Sequence, residues 1–109
     1  MITQPFRNLV LDGMLREVAP ATLMGDANAA QLTVVATVVN AATEVFIQQS
    51  NDAENWTETP FVDRLIVDSP GFYVMTVQTG ICTQFIRVAC EQLDDGSVVL
   101  GVTQHTMKI

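Results

Sequence analysis

The single histidine of the chain, His105 in TQHTMKI, is the residue on which any nucleophile–base pair would have to be built. Its partners on offer are Ser69, Ser97 and the two cysteines, Cys82 and Cys90. A general base works within hydrogen-bond reach of its nucleophile and needs a third group to orient it. No spacing here assembles such a set, because His105 alternates with Gln104 and Thr106 in a polar terminal stretch. Asp94 and Asp95 stand side by side before Gly96, where a tight turn leaves both solvated. Neither a Gly-rich phosphate loop nor a dinucleotide fingerprint occurs. The expectation is a protein that is not an enzyme and carries no cofactor.

The other chemically rich stretch is SNDAENWTETP, residues 50–60, which holds the only tryptophan, Trp56. Asn51, Asp52 and Glu54 offer oxygens within four residues, as calcium loops do. The central glycine and distal glutamate of an EF-hand are missing, so no metal is expected. As backbone chemistry, Ser50-Asn51-Asp52 is a chain reversal, since each side chain can bond backbone groups two residues on. Trp56 then packs over the end of the fold with its N–H on a loop carbonyl. The alternative is a carbohydrate- or ligand-binding loop of Asn51, Asp52, Asn55 and Trp56, with amide and carboxylate groups flanking an aromatic face. One Trp and one Tyr, Tyr73 in a strand, make a thin platform for it.

Cys82 and Cys90 fall in ICTQFIRVACE, which reads as one extended strand. At ~3.3 Å per residue their Cα atoms would lie roughly 26 Å apart, far beyond disulfide reach. No zinc-like Cys/His spacing occurs, so both are expected to be buried, reduced thiols.

The elements that must position these residues are strands almost throughout. Residues 6–12, 31–40, 43–50, 61–68, 72–79, 82–93 and 97–109 are rich in Val, Thr, Ile and Phe, and residues 14–18 add a short strand. Turn signals separate them: Asp12-Gly13, Ser69-Pro70-Gly71 and Asp94-Asp95-Gly96, the last reading as a hairpin. Residues 19–30 form a long connecting loop whose Leu23 and Met24 lie against the fold, and residues 1–5 stand ahead of the first strand as an N-terminal arm. With no helical period in view, the reading is a single all-β domain over residues 1–109. An antiparallel β-sandwich of about seven or eight strands buries one face of each of two sheets. A small β-barrel is the alternative.

SNDAENWTE resembles the S-N-D-G-x-x-W turn of discoidin-type β-sandwiches and of small β-sandwich structural proteins of phages and bacteria, with Ala53 in place of the usual glycine. FIRVAC is similar to the F-x-R-V strand that follows in such domains, with Arg87 at the arginine. The resemblance implies a structural role for the turn, ordering a hairpin beside a packed tryptophan.

Composition points to a covered surface. Hydrophobic residues make up 49% and charged ones 16%, where an ordinary soluble domain has ~25% charged. Two strands are apolar on both faces: Thr33, Val35, Thr37 and Val39 back Leu32, Val34, Ala36 and Val38, and Val99, Gly101 and Thr103 back Val98, Leu100 and Val102. Strands of a sheet with one wet face alternate more cleanly. The candidate interface is therefore Val35, Val39, Val99 and Thr103, with Arg64 and Arg87 fixing register against a partner's carboxylates. Twelve acidic residues against five basic give a net charge of −7, with the basic residues scattered. That disfavours nucleic acid and anionic membranes, and no apolar run approaches the ~20 residues of a membrane span. Without a signal-peptide pattern at its N-terminus, the chain is expected to be made in the cytoplasm, and a place in a virion is compatible with that. The expected partners are copies of itself or the lattice of another structural protein.

Overall fold

The computed structural model describes residues 1–57 and 64–109. Nine strands fill it: β1 (Ile2–Asp12), β2 (Arg16–Val18), β3 (Thr22–Leu23), β4 (Ala29–Val39), β5 (Thr43–Ser50), β6 (Leu65–Val67), β7 (Gly71–Val74), β8 (Phe85–Gln92) and β9 (Ser97–Met107). They form two antiparallel sheets, as a β-sandwich requires. Sheet A has the order β1-β9-β4-β7; sheet B has β2-β8-β5-β6, with β3 also pairing β8. Between them lies one core, from Leu32, Val34, Leu100 and Val102 on sheet A to Val45, Ile47, Ile86 and Val88 on sheet B.

The chain changes sheet at nearly every connection, and only β5 and β6 are sequence neighbours paired side by side. This is the strand order of a jelly roll. Asp94-Asp95-Gly96 is accordingly not a hairpin turn. β8 is already flanked by β2 and β5, so the turn carries the chain across to sheet A. Three crossovers meet at this end and are laced by backbone bonds: Gly13 N to Gly96 O at 3.0 Å, Asn40 N to Ser97 O at 2.9 Å and Leu93 N to Ala42 O at 2.9 Å.

Several expected boundaries shift. Residues 2–5 are no arm, since Ile2 pairs with His105 and Thr3 with Gln104. Pro5 sits in a bulge between Thr3 and Phe6 on this edge strand, where its missing N–H breaks no ladder. The 19–30 connection is partly built into the fold: β3 lies along β8, and Ala19 and Met24 join the core. Leu23, by contrast, is exposed. The strand read at 61–68 reduces to Leu65–Val67, its earlier part lying outside the described residues. Cys82 precedes β8 and is exposed, contrary to the expected buried pair of thiols. Cys90 is buried, and burial, with the charge of Glu17 nearby, pushes its thiol pKa up to about 12.

A bulge between Ala36 and Val38 also corrects the face assignment in β4. Beyond it Val38 pairs with Val99 and is exposed, while Val39 pairs with the buried Val98 and packs on the core. The extra residue inverts the alternation, as a one-residue slip must.

Candidate functional site

The 50–57 loop is held by its own side chains. Ser50 Oγ accepts the N–H groups of Asp52 and Ala53, at 3.2 and 2.9 Å. Asp52 Oδ1 accepts from Glu54 N, Asn55 N and Ser50 Oγ, and Oδ2 accepts from Asn55 Nδ2 at 2.7 Å. These bonds, led by the Asn55 N–H, hold the Asp52 carboxyl well below the usual carboxylate range. Asn51 Oδ1 accepts from Gln84 N at 3.1 Å, tying the loop to the start of β8. Ala53 takes the left-handed backbone, φ 61°, that a glycine would occupy more easily. Asn51, Asp52 and Asn55 do line one hollow, with Gln49, Ser50, Thr57 and Thr83, but Trp56 is not part of its wall.

Trp56 is half-buried and carries the Arg87 guanidinium 4.3 Å from its ring centroid. Arg87 Nε also donates to Gln48 Oε1 at 2.7 Å. Arg64 lies 4.3 Å from the Phe46 ring and forms an ion pair with Glu44, and Arg16 approaches the same ring at 5.5 Å. These contacts lie on the outer face of sheet B. Phe46 and Ala89 are fully buried there although neither belongs to the core between the sheets. Over Phe46 lie Arg16 and Arg64, in the cation–π geometry that lets an arginine stem cover an aromatic face. The sequence reading missed Phe46 and Arg16; the available signal was Glu44-x-Phe46-x-Gln48, an outward register with an aromatic in its middle.

Apart from Val39, which packs on the core, the candidate interface residues divide between two outer faces. Arg64 and Arg87 belong to sheet B and are engaged within the chain. Val35, Val99 and Thr103 lie on the outer face of sheet A. Its cross-strand rows run Val74–Thr33–Thr103, Phe72–Val35–Gly101 and Val38–Val99–Val10. Phe72 is 67% exposed, Val10 61%, Val74 53% and Val35 51%, which makes this face apolar and open. No Asp or Glu stands in these rows, and Asp12 marks the end of β1 beyond them. At Gly101 the bulged β1 leans over the sheet, and a Cβ there would come 2.7 Å from Arg7 O. Beside that contact is a hollow of about 120 Å³, lined among others by Arg7, Asn8, Val35, Gly101 and Thr103.

His105 is exposed near one end of β9, paired with Ile2 and Gln31, while Ser97 at the other end donates to Asp12. Among the described residues no group of three His, Cys, Asp or Glu is placed to hold a metal ion. No protein-family model matches the chain, and no curated protein matches it either.

Proposed function

We propose that this chain is a non-enzymatic structural protein that works by association, with copies of itself or onto another structural protein's lattice, as virion and capsid decoration proteins of tailed phages do. The observation that carries this reading is the outer face of sheet A. It presents Val10, Val35, Phe72 and Val74 together, all more than half exposed. Contiguous apolar surface of this kind marks interaction sites far more often than free surface. Burying it gains ~25 cal/mol per Å² before association costs. The acidic remainder of the molecule keeps the free subunit soluble. The ligand-loop alternative has less to offer, because Arg87 stacks on Trp56 and the loop itself consumes the Asp52 oxygens.

The test is the solution mass by light scattering over a wide concentration range. A defined oligomer or a polymer is the expected result. A monomer at every concentration would rule out self-association.

A further inference from the structure

We infer that the hollow between the end of β5 and the 50–57 loop binds a pyranose sugar ring through its hydroxyls. This goes beyond association, since it needs no second copy of the chain, and it uses no aromatic platform. The site starts from one side chain. Gln49 pairs with Ile86, a core residue, and so follows Val45 and Ile47 on the inward face of β5. It is the last inward residue of that strand and lines the hollow at its end. Gln49 is only 8% exposed. Its Oε1 accepts from Thr83 Oγ1 at 3.2 Å, while its Nε2 bonds to none of the described residues. An amide nine-tenths buried seldom leaves a donor unspent. The hollow is where this one can be met.

The rest of the wall repeats the pattern, with one half of each amide tied down and the other unspent. Asn51 gives Oδ1 to Gln84 N and keeps Nδ2, and Asn55 gives Nδ2 to Asp52 Oδ2 and keeps Oδ1. Thr57 Oγ1 accepts from Gln49 N at 3.1 Å and keeps its own hydrogen to donate. The tied halves fix the others in place, so a ligand loses little affinity to ordering them. The hollow measures about 290 Å³, at the small end of the ~300–1,000 Å³ of ligand sites. Its lining selects the class of ligand. No Lys or Arg stands in it to hold an anion, and the ionised Asp52 repels one. No apolar residue lines it to hold an apolar ligand. The Asp52 oxygens already accept the bonds of the loop, and no metal-holding cluster occurs among the described residues. A neutral ligand that accepts and donates at neighbouring atoms remains, and adjacent hydroxyls on a sugar ring do both. Such a ring displaces several waters at once and reproduces their hydrogen bonds.

The experiment titrates glucose, galactose, mannose and N-acetylglucosamine into the labelled protein and follows its amide signals by heteronuclear NMR. Each sugar is offered free and as its methyl glycoside, whose capped anomeric oxygen is that of a glycan chain end. Saturable shifts of the Gln49 side-chain NH₂ pair, with the backbone signals of Asn51, Asn55 and Thr57, are expected from at least one of them. Tighter binding of the glycoside assigns a chain end, and of the free form a soluble sugar. Gln49→Met keeps the side chain's length without its amide and is expected to weaken binding about threefold to tenfold. Asn55→Ala, at an exposed loop position that leaves the core alone, is expected to weaken it as well, and the same spectra establish that each variant is folded. Trp56→Phe is expected to leave binding unchanged. No shift of the Gln49 pair with any of these sugars at ~50 mM, far above a millimolar dissociation constant, would overturn the inference. So would equal shifts from glycerol, or binding that survives Gln49→Met and is lost in Trp56→Phe, which marks an aromatic platform instead. None of these outcomes bears on association, which the solution mass reads separately.

Discussion

Ala53 occupies a left-handed conformation that costs a residue with a Cβ about 1–2 kcal/mol. It is held there by the hydrogen bonds that converge on Ser50 Oγ and Asp52 Oδ1. Ala53→Gly relieves the strain but enlarges the freedom of the unfolded chain, so a net gain of about 0.5–1 kcal/mol in urea unfolding is expected. Asp52 makes the same loop sensitive to acid. Its folded pKa is depressed, so its contribution is complete above the unfolded value near ~4 and declines as the pH falls below that. Asp52→Asn should therefore differ from wild type in denaturation midpoint at pH 7 and converge with it towards pH 2. The turn itself was legible, because Ser, Asn and Asp are the side chains that bond their own backbone. The φ of Ala53 was not, since alanine carries no sign of a conformation that its neighbours impose.

Among the elements, period-two alternation was legible wherever a strand is regular. The expected separation of Ile86, Val88 and Cys90 from Phe85, Arg87 and Ala89 is the division between core and outer face. The reading failed at bulges, as in β4, where one unpaired residue moves Val39 inward. It failed again at Asp94-Asp95-Gly96, whose turn chemistry is real but whose flanking strands already have other partners. Gly101 shows how closely elements can be fitted. Its missing side chain lets β1 bend over β9, and a Cβ would meet Arg7 O at 2.7 Å. Gly101→Ala is expected to destabilise by about 1–3 kcal/mol, the usual cost of overpacking, measured by denaturant titration. Phe46 has a similar lesson: a phenylalanine on the outward register is fully buried, with arginines from two other segments over its ring.

At the scale of the molecule, a sandwich could be foreseen from the number of strands and their spacing, yet its connectivity could not. Which strand neighbours which is decided by closure of two sheets, a property no local stretch contains. Jelly rolls serve as capsid and as lectin domains alike, so the architecture leaves the proposed function to rest on its surfaces. Those surfaces make a further prediction. Each copy carries −7, so under the proposed self-association through the carboxylate-free rows of sheet A added salt screens only repulsion. Self-association is expected to tighten between 20 and 500 mM NaCl in sedimentation equilibrium; weakening would point to a contact held by ion pairs. One topological fact also bears on how the molecule comes into being. β9 is the last strand in the sequence, yet it lies inside sheet A, bonded to β1 on one side and β4 on the other. On the ribosome, β1 and β4 therefore emerge with nothing between them. Until the 11 residues of β9 leave the exit tunnel, each exposes an unpaired edge open to stray strand addition. Completion of sheet A thus waits on the synthesis of β9, which keeps a half-made subunit from presenting a finished face to others.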